Sequence, residues 1–138
     1  MDEKPIEEEN AGVAAAIPAQ RVMEFVGESD EDLGLDARLF NTFRVGKKWA
    51  DIEEGDLISM LLVDGDRREW VGDAVVLAMD EGNLDNMLDK HAGMNHATRS
   101  LRYAASQRTA LALALTRAYG RRLTSDDVGV VVYLWRID

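Results

Sequence analysis

The chain changes its hydrophobic period once and then changes it back, and this restricts the fold more than any other feature. Up to about residue 79 apolar residues recur every second position, the signature of strands. From Asn83 to Tyr119 they recur at helical spacing, and Val128 to Ile137 returns to a β-branched and aromatic run. A last strand separated from the others by helices has to pair with strands made much earlier. The expected class is therefore α+β, a small curled sheet or barrel with helices packed on one side.

The elements follow from local signals. Residues 20–26 read as a strand, with Pro18 just before it, where proline is tolerated. Gly27 to Gly34 is a polar loop or short helical turn. Leu39 to Val45 is a strand on which Phe40, Thr42 and Arg44 share one face, and Phe43 and Val45 the other. A short helical turn at residues 49–52 and a tight turn at Gly55-Asp56 lead into a strand at 57–63. Asp64-Gly65-Asp66 marks a hairpin, and 69–79 is the returning strand, with Gly72 marking a bulge or bend. Asn83 caps a helix whose stripe is Leu84, Met87 and Leu88, and Gly93 stops it. Ala97 to Tyr119 reads as one long Ala-rich helix ending at Gly120. Leu111, Leu113 and Leu115 spread around that helix, so its second half is expected to be buried on more than one side or to pack a partner.

Charge and composition set further bounds. The chain has 138 residues and no cysteine, which excludes disulfides and thiolate metal sites, and no apolar run reaches the roughly 20 residues of a membrane span. Its start is acidic rather than basic, so no secretory signal is read there and a cytoplasmic setting is expected. Residues 1–16 are expected to form a disordered acidic tail, and 17–138 the domain. Net charge is -10; the first 17 residues hold five acids and one lysine, which leaves -6 on the other 121. Such a balance argues against tight binding of duplex DNA. Six arginines nevertheless fall between Arg99 and Arg122 with no acid among them. That segment is either a site for a local anionic ligand or a solvated face balancing the acidic remainder.

The run Leu39-Phe40-Asn41-Thr42-Phe43-Arg44, the turn Trp49-Ala50-Asp51-Ile52 and Glu54-Gly55-Asp56, in that order, resemble the ASCH domain. Asp85 to His96 is similar to a later family segment, a helix ending in His-Ala, and Val130 to Arg136 to the barrel-closing strand. The layout looks most like the compact ASCH proteins of phages and prophages. The resemblance implies a PUA-like β-barrel of about five to six strands with two or three helices beside it. It also implies a cleft between barrel and helices for RNA or a nucleotide-like ligand. Some small ASCH proteins are amidohydrolases acting on acylated cytidine, with a lysine, the motif threonine as nucleophile and a later glutamate. Here Thr42 holds the threonine place, but Leu39 and Asn95 stand where that lysine and glutamate would be. A threonine hydroxyl needs a base to become nucleophilic, so a non-catalytic module is the leading expectation. A small-amide hydrolase with a rearranged site and a protein-interaction module or homodimer are the alternatives.

The candidate ligand-binding residues are Thr42, Arg44, Lys47, Lys48, Trp49, His91, Asn95 and His96. Arg44 carries a planar fork suited to phosphate, carboxylate or a base edge, or else pairs with Asp56 or another acid. Lys47, Lys48 and Trp49 combine cation and aromatic, as a stacking site does, unless Trp49 is packed inside the barrel. His91 and His96 are five apart across Gly93, which does not fit a helical two-histidine metal site. They are expected to hydrogen-bond at a helix end and at the cleft. No metal or cofactor is expected.

Overall fold

The computed structural model describes residues 20–98 and 101–137. The proposed tail at 1–16 lies outside them. Five strands form one sheet: β1 (Gln20–Val26), β2 (Leu39–Val45), β3 (Leu57–Asp64), β4 (Arg67–Asn83) and β5 (Val128–Arg136). Two helices, α1 (Leu84–His91) and α2 (Ala104–Tyr119), stand between β4 and β5, with a 3-10 turn at Ala92–Met94 after α1. The class is α+β, as the two changes of period require.

The sheet order is β1-β3-β4-β5-β2. β1 and β3 are parallel and every other pair is antiparallel. β4 runs 17 residues, well beyond the 69–79 expected from sequence. Its first half pairs with β3 and its second with β5, so one strand serves both halves of the sheet. Two irregularities bend it. Met60 faces Gly72 while Leu61 faces Trp70, which leaves Val71 as an extra residue; Val76 and Ala78 face Leu134 and Tyr133, which leaves Leu77 extra. An extra residue on one strand increases twist and bend. The sheet curls until its edge strands approach, and Arg44 on β2 lies over the Phe25 ring on β1 with Cζ 4.8 Å from the ring centre.

The period-2 pattern of β2 separates two apolar layers. Phe40 points into the curl with Met23, Ile58, Met60, Val76, Val132 and Leu134. Phe43 points the other way and packs with Leu84, Met87, Leu88, Leu111, Leu115 and Val131 beneath the helices. Trp49 is 5% exposed and belongs to the first layer.

α1 begins as its sequence dictates. The Asn83 side chain accepts a hydrogen bond from the Asn86 N–H at 2.9 Å, and Asp85 sits in the positive first turn. Asn83→Ala is expected to lower stability by about 1 kcal/mol, read as a lower urea midpoint with an unchanged slope; an unaltered midpoint counts against the cap.

The long helix expected from Ala97 is shorter than its propensity allows. α2 starts at Ala104, after turns and bends over the described part of 97–103. Local side-chain bonds compete with helix there: Thr98 Oγ1 donates to the Ala92 carbonyl and Ala97 N–H to Asn95 Oδ1. Of the three leucines, Leu111 and Leu115 are buried and Leu113 is exposed.

Candidate functional site

A cleft of about 320 Å³ lies at the seam where β1 and β2 face each other without pairing. Five structural pieces wall it. The end of β1 supplies Phe25, the following loop Leu33, and β2 the inward face with Thr42 and Arg44. The corner after α1 supplies Asn95 and His96, and α2 closes the far side with Leu115, Ala118 and Tyr119.

Each polar wall residue is held from behind. His96 N–H donates to the Asn41 carbonyl at 3.0 Å, and Asn95 Nδ2 reaches the same oxygen at 3.4 Å. Asn41 Nδ2 donates to the His91 carbonyl at 2.8 Å, tying the end of α1 to β2. The His96 ring plugs the seam, edge-on to Phe25 and Phe40 with centroids 5.2 and 5.8 Å away. Its Nδ1 meets the Leu33 carbonyl oxygen at 2.6 Å. Burial pushes the His96 pKa down to about 4, the Leu33 bond opposing and the Arg44 charge reinforcing it. At neutral pH the ring is uncharged.

Arg44 is the unusual member. Its Nη2 donates to Thr42 Oγ1 at 3.3 Å and its guanidinium stacks on Phe25, yet Nε is buried with no partner and no carboxylate is in ion-pair distance among the described residues. Asp56 instead caps its own turn by accepting from Glu53 N–H at 2.9 Å, so the alternative pairing does not form. Burial lowers the Arg44 pKa to about 10, weakly opposed by Tyr119 and Glu24, and the group remains a cation at pH 7. Glu24 is the other charged residue on the wall, and Arg68 holds its carboxyl below the usual range through a hydrogen bond.

Of the residues singled out from sequence, Thr42, Arg44, Asn95 and His96 come together on this cleft. Lys47, Lys48, Trp49 and His91 do not. Trp49 fills the core, where Arg21 lies 4.1 Å over its ring and its exposed neighbour Lys48 is 5.9 Å away. His91 belongs to a separate chain of bonds, with Nδ1 2.7 Å from Tyr133 Oη and Nε2 2.7 Å from Asp80 Oδ2. The His91 bond is the main reason the Asp80 carboxyl sits below its ordinary range. Sequence reasoning missed Phe25, Leu33 and Tyr119. Leu33, an apolar residue in an otherwise polar loop, was the one visible signal.

The positive run between Arg99 and Arg122 is broken up by tertiary pairing. Arg108 is bound by Asp89 and Asp85, and Arg121 by Asp127. Arg99 lies outside the described residues. No group of three metal-ligating side chains occurs among the described residues, and no described helix is long and apolar enough to cross a membrane.

No protein-family model matches the sequence, and no curated protein matches it. Among solved structures, the crystal structure of an ASCH domain from Lactobacillus crispatus JV V101 is similar with a TM-score of 0.55 at 9% identity, over 92% of this chain and 85% of that one. Identity this low carries the fold alone. On that likeness and on the five-stranded curled sheet with its two helices, the chain shares the α+β fold of that ASCH domain.

Proposed function

We propose that the chain is a non-catalytic binding module whose cleft takes a nucleotide-like ligand, free or as one nucleotide of an RNA strand, with the cytoplasm as its expected setting. One observation carries the reading: the half-buried Arg44 guanidinium lines the cleft with no ion-paired carboxylate among the described residues. A guanidinium at a cleft wall that is not ion-paired keeps N–H donors to offer an acceptor from outside. The cleft volume lies at the small end of ligand sites, and its other walls are largely apolar, which suits one flat ring. The pairing of Arg108 and Arg121 with acids favours this compact ligand over a long strand laid along α2.

Arg44→Met separates binding from stability. Loss of hydrogen bonds from a charged donor is expected to weaken nucleoside binding at least ~10-fold. The folded protein is expected to hold its stability or gain on the order of 1–3 kcal/mol, because a poorly solvated charge is removed. NMR titration with nucleosides, nucleotides and single-stranded RNA reads the first effect, and urea denaturation the second. Absence of shifts around Phe25, Leu33 and Arg44 up to millimolar ligand would sink the reading. Acylated cytidine, incubated with the protein, is expected to stay intact. The Thr42 hydroxyl faces a donor, Arg44, rather than a base, and Asn95 offers no carboxylate. Release of free cytidine that Thr42→Ala abolishes would replace this reading with the hydrolase one.

A further inference from the structure

The outward side of α2 is apolar, positive and uncovered. The helix buries Leu111 and Leu115 with Phe43, Leu84, Met87 and Leu88. Away from that contact, Ala105, Thr109, Leu113 and Arg117 follow one another four residues apart, which sets them in one row along the helix. Leu113 is 53% exposed, and Leu101, just before the helix, is exposed too. Between these two leucines the small side chains of Ala105, Ser106 and Ala110 line an open depression. Cations stand at both ends. Arg102 lies beside Tyr103, with Cζ 5.6 Å from the ring centre, and Arg117 is in the last turn. Neither is ion-paired among the described residues, whereas Arg108 and Arg121 are. α2 itself contains no acid.

The chemistry of the face narrows what can cover it. The backbone N–H and carbonyl groups of α2 are spent within the helix. An extended segment would find no ladder to join and would bury its own backbone groups unpaired. A helix brings its backbone bonds with it, and small residues between Leu101 and Leu113 form a groove into which a helix ridge packs. A second copy meeting this face with its own would set arginine against arginine, with no acid on either α2 to offset them. A nucleic-acid strand would find cations but, Tyr103 apart, aliphatic side chains that offer bases no stacking. The net charge of the chain is -10. At physiological salt the Debye length is about 8 Å, so an occupant responds mainly to the charges at its own edges, and here these are arginines.

We infer that the outward face of α2 docks an amphipathic helix of a partner protein, one whose apolar stripe is bordered by Asp and Glu. The stripe covers Leu113 and the small residues beside it, and the carboxylates meet Arg102 and Arg117. The surface is distinct from the cleft: α2 turns Leu115, Ala118 and Tyr119 to the cleft, and Thr109 and Leu113 to the depression. Docking here therefore does not depend on what the cleft binds.

Three synthetic peptides of about 20 residues, long enough to form isolated helices, test it when titrated into the full chain with the backbone amides followed by NMR. The first carries leucines on one helical stripe with glutamates beside it. The second has the same composition with the stripe scrambled, and the third has lysine in place of every glutamate. The first is expected to move the amides of Ala105, Thr109 and Leu113, the second to bind at least ~10-fold more weakly, and the third not to bind. Leu113→Glu and Arg117→Glu change exposed residues outside the cleft. Both variants are expected to keep the parent urea midpoint and each to weaken the first peptide at least ~5-fold. Equal binding of the scrambled peptide, shifts confined to other residues, no shifts up to millimolar peptide, or undiminished binding by both variants overturns the docking role. A single-stranded RNA that moves the same amides more strongly than the first peptide assigns the face to nucleic acid instead. Light scattering that shows a parent dimer split by Leu113→Glu assigns it to a second copy. Either result overturns the partner helix.

Discussion

Gly34→Ala is expected to remove more than about 3 kcal/mol of stability, or to leave a folded protein with a broken cleft wall. Gly34 has φ +69°, and a Cβ placed there would stand 1.9 Å from the His96 carbonyl oxygen. The backbone conformation alone costs an alanine roughly 1 kcal/mol. The clash is the larger part, because its target is backbone and cannot swing aside as a side chain would. Moving His96 loosens its N–H bond to Asn41 and the Leu33 carbonyl bond to its ring, both of which hold the corner to the sheet. Gly65→Ala is the control: φ is +61° there too, but nothing lies within 4 Å of the added Cβ. Urea midpoints are expected to fall far for Gly34→Ala and only slightly for Gly65→Ala. Equal small shifts would show that the Leu33 loop yields easily, and would weaken the case for a preformed cleft.

Stability is expected to fall by on the order of 3 kcal/mol as pH drops from about 6.5 to about 4, and His96 is the cause. In the folded chain its pKa is depressed to about 4, mainly by burial, while in the unfolded chain it is near 6.5. Between those values the unfolded state takes up a proton that the folded state refuses, so acid favours unfolding. The contribution is complete above the unfolded pKa and gone below the folded one. Asp80 and Glu24, whose carboxyls are held low by His91 and Arg68, act in a lower window. Their support is lost only as pH falls below the ordinary carboxylate range. His96→Asn keeps an N–H at the place of Nδ1 for the Leu33 carbonyl and does not titrate. Its urea midpoint is expected to stay level over the range in which the parent declines. A parent midpoint that is flat between pH 6.5 and 4.5 would contradict the buried neutral ring.

Much of the architecture was legible because it depends on local repetition. Alternation along Leu39 to Val45 placed Phe40, Thr42 and Arg44 on one face and Phe43 on the other, and the two apolar layers divide along that line. The change of period at Asn83 located α1, and its cap is where the side chain pattern put it. The 17-residue β4 was read too short mainly because its last four residues, Asp80 to Asn83, carry no apolar alternation and gain their strand form by pairing with Val128 to Val131 on β5. The start of α2 was read too early because side-chain bonds around Asn95 and Thr98 outweigh helix propensity.

The candidate site divides in the same way. Lys47, Lys48 and Trp49 allowed two readings, a cation-aromatic site or a tryptophan packed inside the barrel; Trp49 takes the core, where an indole gains more from burial than from solvent. The run of arginines left a ligand site and a solvated face both open, because the acids that pair with Arg108 and Arg121, namely Asp85, Asp89 and Asp127, lie outside the run.

What the sequence by itself determined is the set of elements, their order, and the face on which Thr42 and Arg44 stand, since period and caps are properties of neighbouring residues. What only the tertiary structure decided is that Arg44 has no ion-paired carboxylate among the described residues, that His96 is locked by Leu33 from 63 residues away, and that both contact Phe25. These depend on how far the sheet curls and on which loop fills the seam between β1 and β2. Such contacts join distant parts of the chain, and no periodicity or spacing within one segment encodes them.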